Sequence, residues 1–394
     1  MESFSLDCQQ LQEYQPNRYP FLMIDHVEGE ARTGRLMTPH GVIETPAFMP
    51  VATFGAVRGL SSVDLESIGA QILLSNTYHL HERPGEEVVA GLGGLHGFTG
   101  WRGPWLTDSG GFQVTSLSDR MKIDEDGVTF TSPLDGKRRT LTPQGVMAIQ
   151  ARLGSDIAMV LDECLPALGS KSQGADPGRI EAAMQRSLRW AKRSTESRQR
   201  EDQAVFGIVQ GGIDPTLRQV SAEGLAALPF DGYAHGGLGL GESRTQRREA
   251  IGIAHTILPQ DQPRYLMGLG RPIDLLDGVA TGVDLFDCVV PTRNGRHGLL
   301  FTSQGILSLK NAIHRDADDP IDPACDCPAC TTHSRGYLRH LFKCGEALAP
   351  RLAALHNLRF YLVLLDRSRQ AIAQGAFESF YAEMAPVLER RLPH

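Results

Sequence analysis

Three cysteines stand within six residues near the C-terminal end of the chain. Cys325, Cys327 and Cys330 have the spacing of a metal site, and thiolates are soft ligands that suit Zn²⁺. A fourth ligand would close the tetrahedron, and the spacing leaves several downstream candidates open: His333, His340, Cys344 and His356. A site with four protein ligands is structural rather than catalytic, so the chemistry is expected elsewhere.

Three carboxylates follow short apolar runs upstream of this cluster. Asp108 follows Trp105-Leu106-Thr107, Asp162 ends the run 157–161, and Asp287 ends the run 283–286. A single such Asp is more often a helix cap than a catalyst. Three of them favour a function, because paired carboxylates suit nucleophilic attack and proton transfer at an anomeric carbon.

Glycine-rich segments at 207–212 and 235–242 also end apolar runs, and they would let backbone groups approach a flat ligand. Neither segment is a dinucleotide-binding GxGxxG motif. His79-Leu80-His81 has the pattern of metal-dependent barrel hydrolases, but it follows the second predicted strand rather than the first, and the ends of the other strands supply no convincing set of histidine ligands. If His79 and His81 bound a metal, the chain would hold a second metal ion besides the one at the cysteine cluster, and we expect only one.

Basic residues lie around the cysteine cluster, where they could contact phosphates or simply form a solvated surface. With a net charge of −7, the chain is no general polyanion binder, so any nucleic-acid contact must come from a local patch. The residues are Arg293, Arg296, His297, Lys310, His314, Arg315, Arg335, Arg339 and Lys343.

The elements that position these groups follow an alternating pattern of strands and helices. Eight short apolar runs predict strands at 47–51, 71–74, 106–107, 157–161, 205–209, 232–234, 264–267 and 283–286. Helical patterns cover 62–68, 143–153, 177–198, 215–227, 245–257 and 272–280. Eight such strands predict an α/β protein with a closed (β/α)₈ TIM barrel, and an open doubly wound sheet is the alternative.

The length of 394 residues allows a barrel with an appendage. We predict a catalytic barrel over 1–290, a zinc-binding, RNA-contacting subdomain over 291–360, and a helical segment over 361–394 that packs on the barrel. No apolar run reaches the roughly 20 residues of a membrane span. Residues 1–15 lack signal-peptide features, and seven cysteines with a tight cluster favour a reducing compartment, so a cytoplasmic location is predicted.

Together, these motifs resemble the tRNA-guanine transglycosylase (queuine tRNA-ribosyltransferase) family in its bacterial form. The matching blocks run through the chain in family order: ETPAFMPV (44–51), SNTYHL (75–80), LTDSGGFQV (106–114), GSDIAMVLDEC (154–164), FGIVQGG (206–212), GGLGLGE (236–242), YLMGLG (265–270) and DLFDCVVPTRNGRHG (284–298), followed by the cysteine cluster. The resemblance implies a (β/α)₈ barrel with a zinc-bearing insertion and a glycosyltransferase activity in queuosine biosynthesis.

The resemblance also implies roles for individual residues. Asp287 would be the nucleophile that attacks the wobble ribose of a GUN-anticodon tRNA, and Asp108 the proton donor and acceptor. The other implied groups are the base-binding residues Ser109, Phe112, Asp162, Gln210, Gly237, Leu238, Met267 and Glu242, the tRNA-binding residues Arg271, Arg293 and Arg296, and His356 as fourth ligand of one structural zinc. A homodimer is implied as well.

Three positions depart from the bacterial pattern and leave the incoming base open. His235 stands where an aliphatic residue is usual, Gly239 would enlarge the base pocket, and Leu240 would fill it. Cys164 matches the form that uses preQ1 (7-aminomethyl-7-deazaguanine), so preQ1 is the first hypothesis and salvaged queuine the second. A non-catalytic accessory subunit is a third reading, but such subunits generally lack the full acidic set present here.

Overall fold

A computed structural model describes residues 21–117, 121–165 and 176–393. Its central sheet has eight parallel strands, hydrogen-bonded in the order Ala47–Pro50, Leu285–Cys288, Arg264–Leu266, Gly232–His235, Ala204–Val209, Ile157–Met159, Trp105–Thr107 and Leu73–Ser75. Val51 pairs with Leu74 beyond the ends of this order, and the amide of Ala52 donates to the Leu74 carbonyl at 2.6 Å. The two outer strands therefore meet, and the sheet closes into the predicted barrel.

The barrel strands are β4 (Ala47–Pro50), β5 (Leu73–Ser75), β6 (Trp105–Thr107), β10 (Ile157–Met159), β11 (Ala204–Val209), β12 (Gly232–His235), β13 (Arg264–Leu266) and β14 (Leu285–Cys288). The remaining strands are β1 (Phe21–Glu28), β2 (Ala31–Thr38), β3 (Gly41–Thr45), β7 (Met121–Ile123), β8 (Val128–Thr131), β9 (Arg138–Leu141), β15 (Leu299–Thr302) and β16 (Gly305–Ser308).

The helices of the described chain are α1 (Ser62–Ser67), α2 (Thr77–Glu82), α3 (Glu86–Gly91), α4 (Gly94–Thr99), α5 (Gly111–Leu117), α6 (Pro143–Leu153), α7 (Pro177–Thr195), α8 (Pro215–Ala226), α9 (Arg244–His255), α10 (Pro272–Ala280), α11 (Val290–Arg296), α12 (Pro328–Thr332), α13 (Arg335–Cys344), α14 (Leu348–Ala373) and α15 (Phe377–Glu389). None of them combines the length and apolar character that crossing a bilayer requires.

All eight predicted barrel strands are present, and the six predicted helices lie within a few residues of their expected bounds. The reason is local chemistry. Helices α6, α7, α8 and α10 each carry a proline in the first turn, where a missing N–H leaves no hydrogen bond unmade. The fully buried run of β11 reads as a continuous apolar stretch, as expected for a parallel strand covered on both faces.

Antiparallel additions surround the barrel, and the sequence pattern did not predict them. Strands β1–β3 form a sheet that leads directly into β4 and lies at the N-terminal ends of the barrel strands. A buried ion pair fixes it there, because the guanidinium of Arg32 contacts both carboxylate oxygens of Asp284, just before β14. Strands β7–β9, which come between β6 and β10 in the sequence, form a second antiparallel sheet, and β15–β16 form a hairpin after α11.

Helix α14 packs across the seam between the first and last barrel strands. Its Tyr361 lies edge-on to Phe48 of β4 with ring centroids 5.0 Å apart, and its Arg369 donates to the Pro46 carbonyl at 2.8 Å. Tyr361 also donates a hydrogen bond to the Gly270 carbonyl beyond β13. Helix α14 continues through residue 360 without a break. The division of the chain into domains at residues 290 and 360 stays a prediction.

Candidate active site and metal centre

A cavity of about 320 Å³ opens at the C-terminal ends of the barrel strands. Parallel strands end at the same rim of a barrel, so residues far apart in sequence converge there. Of the predicted site residues, those that line the cavity are Asp108, Ser109, Phe112, Asp162, Gly237, Leu238, Met267 and Asp287. Gln210 and Glu242 lie directly behind the wall, where each bonds to a lining group.

Asp287 lies within β14, because the strand continues beyond residue 286, where the sequence pattern placed its end. The hydroxyl of Tyr265 and the amide of Gly268 both donate to its Oδ1, each at 2.7 Å. Burial raises the pKa of Asp287, and these two hydrogen bonds act in the opposite direction. Because Tyr265 and Gly268 both donate to Oδ1, they hold the carboxylate in one orientation and leave Oδ2 out of these two bonds.

Asp108 follows β6 and accepts hydrogen bonds on both oxygens. Thr77 and Gly110 donate their amides to Oδ1 at 2.9 and 3.1 Å, and the side chains of Asn76 and Gln113 donate to Oδ2. Burial raises the pKa of Asp108 to about 6 in spite of these donors, and the nearby charge of Asp287 adds to the rise. A carboxyl group with such a pKa can hold or release a proton near neutral pH.

Asp162 lies three residues beyond β10, which ends earlier than the sequence predicted. The side-chain amide of Gln210 donates to its Oδ2 at 2.5 Å. Burial raises the pKa of Asp162 to about 6, and repulsion from Asp108 adds to the effect. The Asp162–Gln210 pair therefore presents a fixed polar edge to a flat ligand, while Phe112 and Met267 line the same cavity with apolar surface.

The predicted arginines lie around the rim rather than in the cavity. Arg293 and Arg296 are on α11, directly after the strand that carries Asp287. Arg271 caps α10 and pairs with Asp274 at 3.0 Å. The Nη1 atom of Arg296 is buried without a hydrogen-bond partner among the described residues, and burial, with Arg58 and Arg293 nearby, lowers the pKa of Arg296. This positive group suits an anionic ligand such as a phosphate.

Four predicted metal ligands converge in the C-terminal region. Cys325, Cys327, Cys330 and His356 have donor atoms that all lie within 4.8 Å of one another. The Nδ1 atom of His356 lies 3.2 Å from the Cys330 sulfur, and its Nε2 lies 2.8 Å from the Phe301 carbonyl. Since Nε2 must donate to that carbonyl, Nδ1 presents its lone pair to the thiols, as a metal-bound histidine requires. The donor set fits Zn²⁺.

The other histidines do not form a comparable centre. His79 packs against Phe54 and His81 bonds to Glu86, so the HxH pattern does not converge on a metal site. His40, His96 and Asp156 cluster at the opposite end of the barrel. There, Nε2 of His96 lies 3.1 Å from the Gly103 carbonyl, so it is a donor rather than a ligand. The rings of His40 and His96 are also stacked 3.5 Å apart, which places a shared ion out of both ring planes.

Comparison with known proteins agrees with this arrangement. A profile of the family described as TGT, queuine tRNA-ribosyltransferase, matches residues 26–390. The chain belongs to the queuine tRNA-ribosyltransferase family. The predicted resemblance, and with it the assignment to glycosyltransferase enzymes of the pentosyl class, is thereby confirmed.

Proteins named queuine tRNA-ribosyltransferase from three bacteria illustrate the similarity. The one from Solidesulfovibrio magneticus is 54% identical over 359 residues, which cover 91% of this chain and 95% of the relative. The Pseudomonas syringae protein is 50% identical, with 90% of this chain and 94% of the relative covered. The Thermus thermophilus protein is 51% identical, with 91% of each covered.

Several residues of the site were not singled out from the sequence. Tyr265, Asn76 and Gln113 hold the two carboxylates, and Arg58 joins the positive rim. All but Arg58 lie in or beside the motif blocks, so their neighbourhood was a usable signal. Arg218 lies behind the cavity wall and is fully buried on α8, where nothing in the local pattern distinguishes it from a surface arginine.

Proposed function

We propose that this protein is a tRNA-guanine transglycosylase that exchanges the wobble guanine of GUN-anticodon tRNAs for preQ1 in queuosine biosynthesis. The observation that carries the proposal is the pair of buried carboxylates, Asp108 and Asp287, on one cavity at the barrel rim. One is oriented through a single oxygen, and the other has a pKa near neutrality. A retaining displacement at an anomeric carbon uses two such carboxyl groups, one as the nucleophile and the other as the acid and base.

In the proposed first step, Asp287 attacks C1′ of the wobble ribose and the C1′–N9 bond breaks. Asp108 gives its proton to the departing guanine, and the ribose remains covalently attached to Asp287. The hydroxyl of Tyr265 keeps its proton, because burial and the neighbouring Asp287 raise its pKa well above the ordinary value. It therefore remains a donor to Oδ1 throughout the cycle.

In the second step, the incoming base attacks C1′ from the face that guanine left, and the bond to Asp287 breaks. Asp108 takes the proton that the base loses as the new C–N bond forms. Two inversions restore the original configuration. Asp162, Gln210, Ser109 and the backbone at Gly237 and Leu238 would hold the base edge, Phe112 and Met267 its faces, and Glu242 would orient the Leu238 peptide.

The tRNA would bind along the positive rim formed by Arg58, Arg271, Arg293 and Arg296. A wobble base must leave the anticodon stack to reach a cavity at the barrel end, and the adjacent phosphates then need cationic partners. One structural Zn²⁺ in the Cys325–Cys327–Cys330–His356 site would order the region after α11. A homodimer, which the family resemblance implies, and a cytoplasmic location, predicted from the sequence, complete the proposal.

The walls near Gly239 support preQ1 rather than queuine as the incoming base. A side chain at Gly239 would meet the Leu269 side chain at 2.8 Å, so Leu269 already occupies the space that the missing Cβ leaves. Leu240 also lines the cavity. Glycine at this position therefore does not open the pocket by itself.

Base exchange tests the proposal directly. A GUN-anticodon tRNA loaded with labelled guanine is chased separately with preQ1, preQ0 and queuine. We expect release by preQ1 and at least about tenfold slower release by queuine, corresponding to the cost of inserting a bulky group into a filled wall. Faster release by queuine would assign the protein to salvage, and no release by any base would favour the accessory-subunit alternative.

Base binding should depend on pH through Asp162. Its pKa of about 6 lies above that of an ordinary Asp, so the carboxylate becomes protonated as the pH falls through 6 and loses an acceptor for the base. We expect the inhibition constant of guanine to be constant above pH 7 and to rise about tenfold per unit well below pH 6. In Asp162→Asn, the constant should be high and independent of pH. A flat wild-type profile down to pH 5 would contradict this assignment.

A further inference from the structure

Arg218 is a buried cation directly behind the cavity wall. It lies on α8 and its side chain has no exposed surface. Its Nη1 donates to the Val209 carbonyl at 2.9 Å and to the Gly236 carbonyl at 3.1 Å. These carbonyls lie at the C-terminal ends of β11 and β12, so one guanidinium holds two neighbouring strand ends together.

The second of these contacts determines where a backbone donor points. In a trans peptide the carbonyl and the N–H lie on opposite sides, so anchoring the Gly236 carbonyl to Arg218 directs the Gly237 amide away from α8. Gly237 lines the cavity. Burial raises the pKa of the Cys164 thiol, another lining residue, and the Gly237 amide acts to lower that pKa, so the amide points to the cavity side. A Cβ at Gly236 or Gly237 would meet the Gln210 side chain at 2.4 or 2.6 Å, so these positions need glycine and have no side chain to fix the peptide.

An anion orients the Leu238–Gly239 peptide in the opposite sense. The carboxylate of Glu242 accepts the amides of Gly239 at 2.6 Å and Leu240 at 3.0 Å. The Leu238 carbonyl, opposite the Gly239 amide, is thereby turned toward the cavity that Leu238 lines. A cation that bonds to a peptide carbonyl polarises the peptide and makes its N–H a stronger donor. An anion that accepts from a peptide N–H makes its carbonyl a stronger acceptor.

No carboxylate in the described part of the chain forms an ion pair with Arg218; neutral histidines face it instead. Nη2 of Arg218 lies 3.5 Å from Nδ1 of His235, Nε2 of His235 lies 2.8 Å from Nε2 of His255, and Nδ1 of His255 lies 2.8 Å from the Thr281 carbonyl.

The Thr281 carbonyl can only accept, so the proton positions along the chain follow from it. His255 donates from Nδ1 and accepts at Nε2 from His235, whose Nδ1 lone pair then faces Arg218. Burial lowers the pKa of both histidines well below the ordinary value, which keeps them neutral. Burial also lowers the pKa of Arg218, to about 10, so the guanidinium remains charged at neutral pH.

We propose that Arg218 is a positioning residue that aims the Gly237 amide at the 6-oxo oxygen of the bound base, with the His235–His255 pair holding the guanidinium without neutralising it. This inference rests on the proposed function, since it specifies how that cavity recognises guanine and its 7-substituted relatives. Arg218 itself touches neither the base nor the ribose. Its effect on base recognition passes through the Gly236 carbonyl to the Gly237 amide.

The test compares two inhibitors of labelled-guanine exchange in full-length enzyme. Guanine has the 6-oxo acceptor, and 2-aminopurine lacks it. In Arg218→Met, we expect the inhibition constant of guanine to rise about tenfold, the upper end of the range for a lost neutral hydrogen bond, while that of 2-aminopurine changes less than about threefold. In Arg218→Lys, the charge remains but the fork is lost, and an intermediate rise is expected.

Arg264→Met is the matched control. Arg264 is also a buried cation with an unpaired Nε among the described residues, and burial also lowers its pKa to about 10, but it begins β13 at the opposite end of the barrel. It should lose stability without changing the ratio of the two inhibition constants.

Equal ratios in wild type, Arg218→Lys and Arg264→Met would overturn the positioning role even if Arg218→Met does not fold. Failure of the proposed function would look different, because wild-type enzyme would then exchange no guanine at all.

Discussion

Replacing Asp287 by Asn is expected to lower base exchange by at least about 10⁴-fold while the fold stays intact. Asn cannot form the ester-like bond to C1′ that the double displacement requires. The substitution keeps the volume of the side chain and an Oδ1 acceptor for Tyr265 and Gly268. Single-turnover exchange with labelled guanine measures the loss, and a denaturing gel measures whether the tRNA becomes covalently attached to the protein.

Tyr265→Phe is the graded control for this substitution. It removes one donor to Oδ1 but leaves the nucleophile, so exchange should fall only about 10- to 100-fold and the covalent adduct should still form. Thermal unfolding of both variants near the wild-type midpoint would exclude global disruption as the cause. Exchange within tenfold of wild type in a folded Asp287→Asn protein would contradict the nucleophile assignment.

Removing the fourth metal ligand by His356→Ala should release the zinc and disorder the region after α11. The binding free energy of a structural Zn²⁺, on the order of 10 kcal/mol, is part of the free energy that keeps such a region folded. Cys327 and Cys330 belong to the buried core of this region with Leu300, Leu307 and Leu338, so a metal bound to them would stabilise that core and its loss would loosen the packing. We expect the metal content to fall from one to near zero per chain and tRNA affinity to fall at least about tenfold.

His333→Ala and His340→Ala are the controls that the chain itself offers. Both histidines were open as ligands on spacing alone, and neither belongs to the cluster that the structure brings together. They should retain one metal per chain. Guanine binding in the barrel cavity should persist in all three variants, because none of these histidines lines it. Unchanged tRNA binding in a verified zinc-free His356→Ala protein would refute the proposed role of the metal.

The sequence predicts the barrel well because each strand carries its own signal. The apolar runs that end in Asp108, Asp162 and Asp287 needed only the rule that parallel strands share a rim, and the structure places all three on one cavity. The antiparallel strands β1–β3 and β7–β9 gave no such signal, because polar and charged residues interrupt their apolar positions and β1 is irregular. Between Ile24 and His26, for example, the register of β1 shifts by a bulge.

Contacts that join distant parts of the chain were beyond local patterns. His356 lies 26 residues after Cys330 in the middle of a long helix, and spacing alone could not choose it over three nearer candidates. Arg218, His235 and His255 come from three separate elements, so their buried chain exists only after the barrel closes. The expectation for Gly239 missed Leu269, which comes from the loop after the next strand.

The barrel of a nascent chain can complete its packing only after α14 has been synthesised. The residues of α14 bridge β4, formed near residue 47, and the segment after β13, more than 200 residues later. During synthesis, the seam between β4 and β14 therefore lacks the packing of α14 until residue 373 has left the ribosome. Such sequence-distant contacts favour slow folding, and a partly made chain exposes apolar surface until then. A chain that ends after Asp287 but before α14 would carry all three acidic residues and still lack the helix that packs against β4.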